Sequence, residues 1–275
     1  MPTPLDPRVN DNPSTYFVQD RKNKKELTRL KVQDQMITAV MGGALPEQPD
    51  PAVFGRVLDV GCGAGGWIIE AAQAKAHHVD DRVEFHTMDV LRTLDFPAAS
   101  FDLVNLRFGV SFVRTWDWPK MLGELLRVTR PGGVIRVTEG EIGSQSNSPA
   151  LTQLFEMEQC ALFRSGHLFT QENTGLIDHL ARLLDQYGCD QVQTKTYAIE
   201  YRAGTPEGEA FYENLMLLFQ TVRPFIQKWG CVAKDYEAIY QQALQEMRQP
   251  DFLAIGTILT AWGSKPRPKS QQLHQ

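Results

Sequence analysis

The densest chemical signal in the chain is Val57-Leu58-Asp59-Val60-Gly61-Cys62-Gly63-Ala64-Gly65-Gly66-Trp67. Gly61, Gly63 and Gly66 satisfy G-x-G-x-x-G between a predicted strand and a predicted helix. Such a turn lets backbone approach a ligand closely, because glycine has no Cβ and tolerates positive φ. The helix that follows offers free N–H groups at its start. Nicotinamide and flavin sites use the same turn. Asp59 discriminates between the ligands, since a carboxylate just before the glycines disfavours a pyrophosphate and suits an ammonium- or sulfonium-bearing molecule.

Short strands and helices alternate around this loop. VLDV (57–60) reads as a buried strand, and Trp67 to about His77 as a helix. RVEFHTM (82–88) and FDLVNL (101–106) read as strands, and 118–128 as a helix with Leu122, Leu125 and Leu126 on one side. Pro131-Gly132-Gly133 is a turn before the strand VIRVTE (134–139). Strands alternating with helices imply a parallel sheet covered on both faces.

The flanks are more helical. A stripe of Leu27, Leu30, Val32, Met36, Ile37 and Val40 predicts an N-terminal helix ended by Gly42 and Gly43. Ser148-Pro149 opens a helix to about Arg164, and another runs from about Asn173 to Tyr187. QVQTKTYAIEY (191–201) and FLAIGTILTAW (252–262) are strands, with a helical stretch of about 206–247 between them, broken near Gly230. The boundaries expected are an arm and lid helix over 1–50, a core over 51–145, a helical lid and core helix over 146–190, sheet-completing strands with inserted helices over 191–265, and a flexible tail over 266–275.

VLDVGCGAGGW (57–67), FHTMDV (85–90), FDLVNLRF (101–108) and LLRVTRPGGVIRVTE (125–139), in this order, resemble the class I S-adenosylmethionine-dependent methyltransferases. The resemblance is strong over about 53–142 and looser at the last two strands. It implies an α/β, Rossmann-like doubly wound sheet with helical N-terminal and C-terminal lid segments of the small-molecule type. It implies S-adenosyl-L-methionine as cofactor, with Gly61, Cys62 and Gly63 against its methionine part and Asp59 on its amino group. Asp89 and Val90 match the border of the adenine. Asn105 to Arg107 match the end of the fourth strand of that fold, near the methyl group.

The chain departs from the family between Gly66 and Arg82. There is room for one helix and a turn, where the family has a second strand ending in the acidic residue that grips the ribose hydroxyls. Two outcomes follow. RVEFHTM slides beside VLDV and Asp89 takes over the ribose, or the strand keeps its usual position, leaving a gap, and cofactor binding is weak or lost. Two lost charge-assisted hydrogen bonds cost about 3–6 kcal/mol at 1.5–3 each.

The function the resemblance implies is methyl transfer to a small, apolar organic acceptor. The alternative is a degenerate fold acting as a non-catalytic binding or assembly module. His167, in the loop after the first lid helix, is the candidate general base, and Glu139 and Glu141 end the fifth strand of that fold on its acceptor side. His77 and His78 fall at the shortened junction, in a turn. Tyr16, Phe108 and Phe163 are the candidate acceptor contacts among many aromatic residues.

Composition narrows the classes. With 28 Lys+Arg against 33 Asp+Glu the net charge is −5, which disfavours a nucleic-acid binder. No CxxC pair occurs among Cys62, Cys160, Cys189 and Cys231, so no metal site is expected, and four scattered cysteines point to free thiols in a reducing compartment. The first residues lack the apolar core of a signal peptide, and no apolar run approaches the roughly 20 residues of a membrane helix, so a cytoplasmic protein without a membrane partner is expected. The N-terminal helix either closes its own site or swaps into a second copy as a homo-oligomer contact.

Overall fold

The computed structural model describes residues 16–18, 24–73 and 83–268. His77 and His78 lie outside the described residues. A six-stranded mixed sheet runs through the centre, built from β1 (Val57–Val60), β2 (Phe101–Arg107), β3 (Thr129–Gly140), β4 (Gln145–Ser146), β5 (Asp190–Arg202) and β6 (Leu253–Ser264). The first three pair in parallel in the order β1-β2-β3. β6 then joins β3 antiparallel and carries β5 on its other edge, with the two-residue β4 beside it.

Alternation along β2 explains the two covered faces. Leu103 enters the smaller apolar cluster with Ala44, Leu45, Phe54, Trp67 and Ala71, while Val104 and Leu106 point into the larger core. α2 (Gly66–Gln73) closes the small cluster. α3 (Trp118–Val128), α4 (Pro149–Arg164) and α5 (Leu180–Gln186) cover the large one. This is the Rossmann-like sheet expected, with parallel strands bearing the loop and an antiparallel end.

α1 (Lys24–Met41) packs on α6 (Pro206–Thr221) of the same chain. Gly43, at φ 120°, donates its N–H to the Thr38 carbonyl at 2.9 Å, the wrap that ends α1 where its glycines predict. Ser148 caps α4 by accepting from the Leu151 N–H at 3.1 Å. α7 (Arg223–Lys228) and α8 (Tyr236–Glu246) complete the lid side, and the turn between them contains Gly230 at φ 68°.

Three expectations need correction. The strand over 82–88 is absent, since 83–89 run without a ladder partner among the described residues. That leaves β1 with only β2 beside it there, and a cavity of about 250 Å³ lies between β1, α2 and this segment, lined by Val57, Ile68, Ala72, Val83, Phe85 and Met88. Among the described residues this segment is a strand neither beside β1 nor in the family's usual position. The helix from Asn173 starts late: 170–176 form a turn, Ile177–His179 a single 3-10 turn, and α5 follows. Gly175 is wedged there against the Thr170 carbonyl, where a Cβ would come to 2.3 Å. Finally, Cys160 and Cys231 are bonded to each other, because α4 and the turn after α7 bring their Cα atoms to 6.0 Å; Cys62 and Cys189 are free. No helix among the described residues is long and apolar enough to cross a membrane.

Candidate active site

One cavity of about 1540 Å³ opens at the C-terminal ends of β1 and β2, beneath α1 and between α4 and α6. Its lining contains Asp59, Gly61, Cys62, Gly63, Asp89, Val90 and Arg107. Tyr16, Phe108 and Glu141 line it too. The fold thus brings together residues more than 90 positions apart in sequence, as crevices beyond the strand ends of open α/β sheets do.

The glycine loop has its composition for local reasons. At Gly61 the backbone stands at φ 68°, and a Cβ would meet the Phe112 ring at 2.9 Å. At Gly66, the first residue of α2, a Cβ would come within 2.0 Å of Asp34 Oδ2. The α1 carboxylate therefore sits over the N-terminus of α2, where the helix dipole favours an anion. Asp34 is tied from the other side as well. Arg107 Nη1 donates to Asp34 Oδ1 at 3.2 Å and to Thr38 Oγ1 at 3.0 Å, pinning α1 to the end of β2.

A buried polar chain runs from the surface loop to the cavity floor. Arg136 Nε donates to Glu47 Oε1 at 2.7 Å, both side chains being buried. Arg136 Nη1 donates to Asn105 Oδ1 at 2.8 Å, and Asn105 Nδ2 donates to Asp59 Oδ1 at 2.8 Å. A guanidinium has no acceptor, so Arg136 fixes which way the Asn105 amide faces. Asn105 must then present its NH₂ to Asp59. Asp59 lines both this cavity and the smaller one beside β1. Burial pushes its carboxyl up to about 7, against the lowering effect of Asn105, Arg107 and Arg136. Burial and the Asp59 charge raise the Cys62 thiol. The Arg107 Nε and Nη2 are buried with no hydrogen-bond partner in the structure. Phe108 holds a left-handed backbone at φ 54°, unusual for an aromatic residue, and its ring lies 5.6 Å from the Arg107 guanidinium.

Other expected residues land elsewhere. His167 does not line the cavity. It is buried after α4, with Nδ1 2.7 Å from Ser165 Oγ and its ring edge-on to Phe225. Phe163 is exposed, because Phe155 and Leu162 occupy the inward face of α4 and residue 163 is turned about 100° away from 162. Glu139 is fully buried and accepts from the Val110 N–H at 3.3 Å, so it caps the short turn at 109–111; burial raises its carboxyl to about 8. Asp89 caps the Leu91 N–H at 3.0 Å and pairs with Arg92 at 3.4 Å. Sequence reasoning missed Glu158, Asp34 and Ser144, all of which line the cavity. Glu158 had a signal: a charged residue between Phe155 and Leu162 on one helical face.

Asp59 and Arg107 thus line one cavity beside the glycine turn, with Arg107 Nε and Nη2 sealed from solvent.

A family model described as a methyltransferase domain matches residues 68–133. The N-methyltransferase gliN of Aspergillus fumigatus is 25% identical over 281 residues, covering 88% of this chain and 94% of that protein. Both matches are to methyltransferases, and they support reading the chain as a class I S-adenosylmethionine-dependent methyltransferase. The demethylmenaquinone methyltransferase of Lysinibacillus sphaericus is 26% identical over 176 residues, covering 52% of this chain and 73% of that one. Among solved structures, phosphoethanolamine N-methyltransferase 2 of Haemonchus contortus with S-adenosyl-L-methionine aligns at a TM-score of 0.46 and 16% identity, over 94% of this chain and 61% of that one. The chain spans about three-fifths of that protein's length. These matches support methyl transfer from S-adenosylmethionine and do not favour the non-catalytic alternative.

Proposed function

We propose that this enzyme methylates a small, largely apolar organic acceptor held between the glycine loop and the α1–α4–α6 lid. The observation that carries this reading is the cavity that joins Asp59 and Arg107, beside the glycine loop, to an apolar lobe under the lid. Asp59 pairs with the cofactor's ammonium and Arg107 with its carboxylate. Gly61, Cys62 and Gly63 lie along the methionine chain, and Asp89 and Val90 border the adenosine. Asp89, already half engaged with Arg92, is the carboxylate nearest to replacing the missing ribose ligand.

The cofactor supplies an electrophilic methyl on a sulfonium. The chain's own contribution is proximity and alignment, which bring the acceptor atom in line without water. Tyr16 and Phe108 are the acceptor contacts from α1's approach and from the end of β2. Tyr16 also donates its hydroxyl to Glu26 at 2.6 Å, which fixes the ring. The N-methyl transfer named for the gliN relative and the quinone precursor named for the Lysinibacillus relative both fit a small-molecule acceptor.

The test is calorimetric titration of the full chain with S-adenosylmethionine and S-adenosylhomocysteine. Micromolar binding of both is the expected result. Absence of binding at millimolar ligand would mean that the gap beside β1 abolishes the cofactor site, and the proposal would fall.

A further inference from the structure

Resting on that methyl-transfer reading, we infer that the lobe under the lid takes an acceptor with an apolar body and a protonated amine, which Glu158 receives. The lobe is lined by Phe155 and Leu162 of α4, Tyr201 of β5, and Phe211, Leu215 and Leu218 of α6. Glu158 lies three residues after Phe155 and four before Leu162, so it shares their face and enters the same lobe. It is 7% exposed, and no described residue donates a hydrogen bond to it. A buried carboxylate without a donor is costly unless something charged completes it.

The polar neighbours are engaged with one another. Arg29 donates Nε and Nη2 to Glu26 at 2.8 and 2.7 Å and Nη1 to Asn214 at 3.3 Å. Tyr16 and Thr221 both donate to Glu26 as well. From α1, then, Arg29 offers Glu158 only through-space attraction; from α8 the Tyr236 hydroxyl is spent on the Phe219 carbonyl. Burial raises the Glu158 carboxyl to about 7. An ammonium arriving in the lobe restores its ionised form and supplies the missing donors. A neutral or anionic head leaves it unpaired.

A further feature suits such a ligand. Tyr201 and Phe211, both lining the cavity, stack face to face with centroids 3.9 Å apart, and an aromatic face attracts a cation.

Phenethylamine, phenethyl alcohol and phenylacetate serve as probes because they share a body and differ in the head. Their binding to the full chain, and to Glu158→Gln, is measured by ligand-observed NMR at pH 7. The expected result is that the amine binds at least about tenfold tighter than the alcohol, the scale of one charge-assisted hydrogen bond, and that phenylacetate is weakest. Glu158→Gln should erase the amine's advantage and leave the alcohol unchanged. If the variant does not fold, carboxyl-carbon NMR of the parent replaces it, with phenethylamine lowering the Glu158 titration midpoint. Equal binding of amine and alcohol, or an amine preference that survives Glu158→Gln, would overturn the inference. S-adenosylhomocysteine titrated into the same samples reports separately on the cofactor site. Its intact binding alongside no amine preference sinks only the role of Glu158, whereas its failure sinks the methyl-transfer reading.

Discussion

Replacing the remote pair Glu47 and Arg136 by Leu and Met is expected to weaken cofactor binding at neutral pH through Asp59. Neither residue lines the cavity. Their effect passes through Asn105, whose amide Arg136 holds with Nδ2 toward Asp59. Removing Arg136 alone would strand the buried Glu47 at a cost of about 3–5 kcal/mol, so the pair is replaced together by apolar residues of similar volume. Asn105 is then free to turn, and the Asp59 carboxylate loses a charge-assisted hydrogen bond worth about 1.5–3 kcal/mol. At 1.36 kcal/mol per pH unit, the Asp59 midpoint rises from about 7 to roughly 8–9.

The sign and size follow from linkage. Only ionised Asp59 pairs with an ammonium, so apparent affinity falls as pH drops through its midpoint. With a midpoint of about 7, the parent loses roughly eightfold in S-adenosylhomocysteine affinity between pH 7.5 and pH 6. The double variant should bind about 5- to 50-fold more weakly at pH 7, and lose roughly 25- to 30-fold over the same interval. Calorimetry below pH 7.5 keeps the ligand's own amino group largely protonated. Carboxyl-carbon NMR of Asp59 in the free protein reads the midpoint without any ligand. A double variant with parental affinity, parental slope and an unmoved Asp59 midpoint would refute the Glu47–Arg136–Asn105 chain as a positioning device.

Four further outcomes are expected. Asp59→Asn should weaken cofactor binding by about 10- to 150-fold and flatten the acid limb. Because burial raises the folded-state pKa of Asp59, the parent loses stability as pH rises from about 4 to 7, and the Tm advantage of Asp59→Asn should open over that interval in calorimetric scans. Arg107→Met should cost at least about tenfold in cofactor affinity, while Thr38→Val, which removes only one of its partners, should cost much less. Gly66→Ala should destabilise by about 1–3 kcal/mol through its clash with Asp34, and a double-mutant cycle with Asp34→Ala should recover most of that. Reduction of Cys160–Cys231, which closes a loop of 71 residues, should lower stability by about 2–4 kcal/mol in denaturant titrations, with Cys160→Ser showing no further response to reductant.

What was legible in the sequence is what local rules decide. β1 appears where VLDV meets the glycine turn, α3 where three leucines share a helical face, and α4 where Ser148-Pro149 starts a capped helix. The glycine-loop end of the cavity was legible for the same reason, since Asp59, Gly61, Cys62 and Gly63 are consecutive or nearly so. The strand over 82–88 was misread because Val83 and Phe85 alternate with polar residues as a strand does. A strand also needs a neighbour in register, and alternation carries no information about pairing distance. His167 failed for a different reason. Its residue type is right for a base, but its direction is set by the turn after α4, which buries it against Phe225. The disulfide was equally invisible, because a sequence separation of 71 says nothing about where α4 and the turn after α7 meet.

The shortened segment bears on mechanism through geometry more than through lost charge. In a doubly wound sheet the strand beside β1 both flanks the glycine turn and presents the ribose ligand. Here Phe85 takes up part of that space from an unpaired segment: a Cβ at Gly65 would meet its ring at 2.6 Å. A ring on the outer side of the turn holds Gly65 and Gly66 in place without a ladder, and α1 holds the inner side through Asp34. The glycine turn is thus clamped between Phe85 and the lid helix, so cofactor binding and lid closure share contacts. Phe85→Ala, at an exposed side chain that contributes little to the core, should therefore weaken S-adenosylhomocysteine binding while shifting Tm by no more than a few degrees. Binding equal to the parent would mean that the turn needs no support on that side, and that the chain tolerates the missing strand because the loop and α1 suffice.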